Sequence, residues 1–134
     1  MFVHLRNHTH YSLLKALPKV HDLVKKAKEA RMTSLAITDY NNMYGAIEFY
    51  STCKKQGLKP IIGVEFTTTY NERKFQIVLL AKNFQGYKNL MHLTSIVNVE
   101  NPINPILNDD ILKKYKDGLL LISGGFWGDV NNLL

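Results

Sequence analysis

A chain of 134 residues is one domain by length, or part of a larger one, and its 46% apolar content is enough for a packed core. No apolar run approaches the ~20 residues needed to cross a bilayer, and the start lacks a basic, apolar, small-residue signal sequence, so a membrane span and an exported protein are not expected. The single cysteine, Cys53, cannot form an internal disulfide and points to a reducing, cytoplasmic setting, while a net charge of +6 and a pI near 9.4 favour a polyanionic neighbour such as nucleic acid.

Taken in chain order, "MFVHLRNH" reads as a short strand with Phe2 and His4 on one face and Val3 and Leu5 on the other. Pro18 opens a helix, "PKVHDLVKKAKEARM", whose buried stripe is Val20, Leu23, Val24 and Ala27. "SLAIT" is the next strand and ends at Asp39. Asn41 or Asn42 caps a second helix, "MYGAIEFYSTCKKQ", with Met43, Ala46, Ile47 and Tyr50 at helical spacing and Gly57 as its stop. "KPIIGVEF" and "KFQIVLLA" are strands, and "GYKNLMHLTSIV" is helical through Tyr87, Leu90, Met91 and Thr94. "NVENPINPIL" is a loop. "DDILKKYKDG" is a short helix with Asp109 and Asp110 at its positive end and Gly118 closing it, and "LLLIS" is a strand. The alternation predicts an α/β fold with parallel strands and intervening helices. Another helix is expected to start in "SGGFWGDVNNLL", so the chain reads as a fragment of a larger barrel or sheet with an apolar face and edges for later units to cover.

The chemistry concentrates at predicted strand ends. His8 and His10 are two apart, and in an extended strand such residues point the same way, roughly 6.5–7 Å apart. Two imidazoles so placed can converge on one ion at ~2.0–2.1 Å, although a polar strand end with satisfied histidines has the same spacing. Asp39 and Glu65 lie late in successive predicted strands, where ligands bind in parallel α/β folds. With the histidines they make a donor set for a single divalent metal, Zn²⁺, Mn²⁺ or Mg²⁺. Against that, Asp39 suits a helix cap and Glu65 a solvated strand end. His4 reads as a core or supporting residue, and His21 and His92 as helix-surface or packing residues. There is no Gly-rich phosphate loop, Ser-His-Asp arrangement or zinc-finger spacing. The lysines of "KKAK" and Lys54–Lys55 fall on helix exteriors, where they are solvated faces.

"FVHLRNHTHYSLL", "LAITDYNNMYGAIEFY", "GLKPIIGVEF" and "LLAKNFQGYKNL" together resemble the PHP (polymerase and histidinol phosphatase) domain at the N-terminus of bacterial DNA polymerase III alpha subunits, over essentially all 134 residues. The resemblance implies the first half of a distorted, TIM-like β/α barrel, spanning residues 1–134, without the later barrel strands or the polymerase core. In metal-bearing relatives such a domain supports a 3′–5′ exonuclease; in others it is a scaffold and docking surface, including for a separate proofreading exonuclease. It implies as partners the rest of the alpha subunit, other replisome proteins, and DNA through the full-length DNA-directed DNA polymerase. Carried over by position, His8, His10, Asp39 and Glu65 match family metal ligands. Lys15 stands in place of an aspartate, Tyr40 and Gln76 in place of histidines, and Gly125 in place of a cysteine. An ammonium at Lys15 would repel a dication, and the other three remove or weaken ligands. The resemblance with these departures therefore implies a degenerate site, with one metal or none, and a structural role. The alternative is a metal-dependent exonuclease or phosphoesterase acting on DNA ends.

Overall fold

A computed structural model describes residues 2–70 and 72–125. The elements are α1 (Val20–Glu29), β1 (Ser34–Tyr40), α2 (Ala46–Gln56), β2 (Lys59–Tyr70), β3 (Arg73–Ala81), α3 (Phe84–Glu100), α4 (Asp109–Lys114) and β4 (Leu119–Ser123). The strands form one sheet in the order β1-β2-β3-β4. The helix expected within "SGGFWGDVNNLL" lies outside the described residues.

The expected parallel sheet is mixed. Only β1 and β2, joined through α2, run parallel; β2–β3 and β3–β4 are antiparallel. For β2–β3 the cause is connection length. Two residues separate Tyr70 from Arg73, enough for a hairpin, whereas a parallel return needs a crossover of a dozen or more. The first predicted strand is also corrected. Residues 2–9 run beside β1 without becoming regular strand, because the Asn7 N–H donates to the Thr38 hydroxyl (2.9 Å) instead of a strand carbonyl. Two backbone bonds still tie the segment to β1, from Ala36 N–H to the His4 carbonyl and from Thr38 N–H to the Asn7 carbonyl.

Helix α1 starts two residues after Pro18 and buries Val20, Val24 and Ala27 as the spacing requires. Helix α2 starts at Ala46 with Gly45 as its N-cap, so neither Asn41 nor Asn42 caps it. Asn41 adopts a left-handed φ of 55° and gives its N–H to the Glu65 carbonyl, and Asn42 accepts from the Tyr44 N–H within the preceding turn. The buried stripe of α2 is Ala46, Phe49 and Cys53; Ile47 and Tyr50 are 69% and 49% exposed, a rotation of the expected face. Gly57 ends the helix in the left-handed conformation, as read from the sequence. Asn83 caps α3, which takes in the first three residues of the expected loop. Asn108 caps α4, which ends at Lys114 with Tyr115 as its C-cap, three residues before Gly118.

Two clusters make the core. Val20, Val24, Leu35, Ile37, Phe49 and Cys53 join α1 and α2 to β1, and Val64, Phe66, Ile77, Leu79, Leu90 and Leu93 join α3 to β2 and β3. Strand alternation then turns Thr38, Tyr40, Glu65, Thr67 and Gln76 to the opposite face. The first turn of α3 crosses the turn before β4 backbone to backbone, and a Cβ on Gly86 would lie 1.9 Å from the Gly118 carbonyl oxygen. That oxygen is held by the Lys82 N–H (2.8 Å) and cannot withdraw. Gly86→Ala should therefore cost about 3 kcal/mol, at the upper end of overpacking, read as a lowered melting temperature; a wild-type melt would contradict this crossing.

Candidate functional site: a forked carboxylate and a pinned one

Glu65 lies in the middle of β2, not late in a strand as expected, because β2 runs on to Tyr70. It pairs with Tyr40 at the end of β1 and with Val78 of β3, and its side chain is fully buried. The Arg6 guanidinium grips it with two parallel bonds, Nε to Oε2 (2.5 Å) and Nη2 to Oε1 (2.9 Å). His8 Nε2 sits 3.0 Å from Oε2, and since an ionised carboxylate only accepts, that nitrogen is the donor. Burial pushes the Glu65 carboxyl up, but the hydrogen bonds and charges of Arg6 and His8 outweigh it and hold the group below its ordinary value. The same bonds raise Arg6 above its own.

Asp39, 1% exposed in β1, is held by neutral donors. Thr9 N–H (2.6 Å) and Ser12 Oγ–H (2.6 Å) donate to Oδ1, and Thr9 Oγ1–H (2.7 Å) to Oδ2. Ser12 Oγ in turn accepts the Tyr40 N–H. Asp39 thus pins the turn after His8 to the end of β1; it does not cap α2.

The side chains that converge on β2 are Arg6 and His8, not His8 and His10. Regular alternation ends at Thr9, where Ser12 N–H turns back onto the Thr9 carbonyl, so two-residue spacing no longer governs His10. Its ring tilts against Tyr11 (4.2 Å), its backbone N–H donates to the Pro18 carbonyl, and its buried Nδ1 has no hydrogen-bond partner among the described residues. Lys15 does not reach the carboxylates: its ammonium lies 3.3 Å over the Tyr40 ring. The Tyr40 hydroxyl bonds Thr67 (2.5 Å). Gln76 Oε1 accepts from Arg6 Nη2 (3.3 Å), and a Cβ on Gly125 would stand 3.3 Å from Arg6 Nη1. Two of the four positions flagged as departures therefore lie against the guanidinium. Sequence reasoning missed Arg6, Thr9 and Ser12. A cation two residues before His8, and a Thr-x-x-Ser turn pattern, were the available signals.

As arranged, the donors do not fit a divalent ion. Both oxygens of each carboxylate are taken by protein donors, and among the described residues no three His, Cys, Asp or Glu side chains gather to hold a metal. Cys53 offers no alternative nucleophile: it is buried, and burial pushes its thiol up to about 11.

A mixed-sheet α/β domain with two buried carboxylates, Asp39 and Glu65, on opposite faces of its two parallel strands is the class that this geometry defines. The chain belongs to the PHP domain family, whose model matches residues 4–134. It aligns with the N-terminal region of DNA polymerase III alpha subunits at about 40% identity over 97–99% of its length. With that of Borreliella burgdorferi it is 40% identical over 145 residues, covering 99% of the chain and 13% of the relative. The chain thus spans about an eighth of such a relative. Among solved structures, an amidohydrolase from Chromobacterium violaceum shares the fold at 18% identity and a TM-score of 0.62, covering 72% of this chain and 33% of that one. A protein from Bifidobacterium adolescentis, assigned as a metal-dependent phosphoesterase, does so at 20% and 0.53, covering 87% and 43%. Among the described residues no helix is long and apolar enough to cross a membrane.

Proposed function

We propose that this chain works as the N-terminal PHP domain of a cytoplasmic replicative DNA polymerase, the first part of a distorted β/α barrel that braces the alpha subunit and presents a docking surface. Its partners are then the rest of that subunit, other replisome proteins such as a proofreading exonuclease, and DNA through the full-length nucleotidyltransferase. The similarity to alpha subunits supports the context, and one observation carries the structural role: a protein cation, Arg6, occupies both oxygens of the buried Glu65. A guanidinium fork neutralises the carboxylate without a metal and fixes residues 6–8 against β2. His8, His10, Asp39 and Glu65 are in this reading the remnant of a metal site whose chemistry has been replaced by a permanent ion pair.

Elemental mass spectrometry on protein purified without chelator checks this. The expected result is zinc, manganese and magnesium far below one equivalent per chain. Near-stoichiometric metal that vanishes in His8→Ala, together with metal-dependent release of nucleotides from DNA ends by the full-length chain, would favour the exonuclease instead.

A further inference from the structure

A groove of about 440 Å³ runs between α2 and α3 on the helix-covered face of the sheet, the face opposite Glu65. Ile62 of β2 and Ala81 of β3 lie in its floor, with Ile47 and Tyr50 of α2 on one side and Phe84 and Tyr87 of α3 on the other. Ile62 packs against both core clusters, so the groove lies over the seam where they meet. Ile47 and Tyr50 belong to the apolar stripe that the sequence of α2 marks for burial and that its docking leaves outside. Phe84 across the groove is 72% exposed, so large apolar side chains flank it from both helices, as at surfaces that bind other proteins.

The rim is positive. Ile47, Tyr50 and Lys54 share a helix face, and the Lys54 ammonium stands 6.0 Å from the Tyr50 ring centre. The Lys88 ammonium stands 5.4 Å from the Phe84 ring centre, and Lys82 lines the groove just after β3. Among the described residues none of these three lysines has a carboxylate within ion-pair distance. No lining residue is acidic. The one acid of α2, Glu48, accepts from the Tyr11 hydroxyl (3.0 Å), and α3 has none before Glu100.

Charge and chemistry select the occupant. A second copy docked groove to groove would bring its own lysines against these, a like-charge contact. A nucleobase wants hydrogen-bonding groups or a bare ring face; Ile62 and Ala81 have no polar side-chain atom, and ammonium groups attend the rings of Phe84 and Tyr50. An apolar side chain flanked by carboxylates meets both the floor and the rim.

We propose that this groove docks a peptide segment of another protein, one that inserts a leucine or phenylalanine between the helices and sets carboxylates against Lys54, Lys82 and Lys88. That a partner docks rests on the role proposed above; the choice of an apolar, acidic segment does not.

The test is selection of a displayed random-peptide library on the 134-residue chain, then fluorescence anisotropy of the enriched peptides at two salt concentrations. Enriched peptides should share a leucine or phenylalanine flanked by aspartate or glutamate, and higher salt should weaken them. Their Kd should rise about tenfold in Ile47→Ser/Phe84→Ser and about fivefold in Lys54→Glu/Lys88→Glu, with unchanged melting temperatures. Leu13→Ser/Leu17→Ser, which removes two other exposed apolar side chains, should leave Kd within about twofold. No enrichment, enriched peptides without acids, or equal losses in the Leu13→Ser/Leu17→Ser variant would each overturn the proposal. A single-stranded oligonucleotide whose binding is lost in Ile47→Ser/Phe84→Ser would assign the groove to nucleic acid instead, and a dimer dissociated by that variant would assign it to a second copy. Each of these results leaves Glu65 untouched. Metal analysis decides that reading separately, and metal found there would leave peptide binding in the groove standing.

Discussion

Arg6→Ala is expected to destabilise the domain by about 3 kcal/mol, a fall in melting temperature of roughly 10 °C for a chain of this size. Glu65 is fully buried, so removing the guanidinium strands a carboxylate with His8 as its only remaining side-chain donor among the described residues. Breaking a buried pair from one side costs about 3–5 kcal/mol; the low end applies because the Arg6 side chain is 35% exposed and solvent screens part of the interaction. Arg6→Lys keeps the charge but loses the planar fork and should recover less than half of the loss. Glu65→Gln with Arg6→Met, which removes both charges together, should be milder than Arg6→Ala. If Arg6→Ala melted like wild type, the fork would be a bystander and the carboxylate would need another counter-ion.

The same pair predicts how stability depends on pH. The folded Glu65 carboxyl titrates below its ordinary value, so the unfolded chain binds the proton first as pH falls. The contribution of the ion pair is then fully present above an unfolded pKa of ~4.3 and is lost as pH drops through the lower folded value. Acid unfolding of Arg6→Ala should accordingly begin at higher pH than that of wild type, followed by circular dichroism.

What the sequence exposed was local. The spacing of Val20, Val24 and Ala27, and a glycine at position 57 where only a left-handed residue ends the helix, placed α1 and the end of α2. What it concealed depended on geometry between segments. The parallel sheet was expected because strands and helices alternate, yet the connection from Tyr70 to Arg73 is too short for anything but a hairpin, a length that is readable in the chain. Ile47 and Tyr50 fit a helical stripe as well as Phe49 and Cys53 do; which stripe is buried depends on how β1 and α1 dock. The site shows the same split. Glu65 and Asp39 were found as carboxylates in neighbouring strands, but their partners lie 59 and 30 residues away along the chain, in Arg6 and Thr9. Two-residue spacing correctly says that a pair near the start of the chain shares a side. It cannot say whether the extended segment ends before or after Thr9, and that decides between His10 and Arg6.

Asp39→Ala should cost about 3–4 kcal/mol although no ion pair is lost, because it leaves buried donors of Thr9 and Ser12 without an acceptor. Asp39→Asn separates charge from hydrogen bonding. Its carbonyl can keep the two donors on Oδ1, and its NH₂ can donate to Thr9 Oγ1, a hydroxyl able to reverse its role. The asparagine variant should therefore lose only about 1 kcal/mol. Ser12→Ala should fall between them, since it frees the Tyr40 N–H at the end of β1 as well as one bond to Asp39. The turn that these bonds hold directly follows His8, so loosening it should also release His8 from Glu65. Amide hydrogen exchange at Thr9 and Tyr40 should accelerate in Asp39→Ala before the rest of the sheet responds. Unchanged stability and exchange, with only metal content altered, would instead make Asp39 a ligand and remove its role as the pin between the first turn and the sheet.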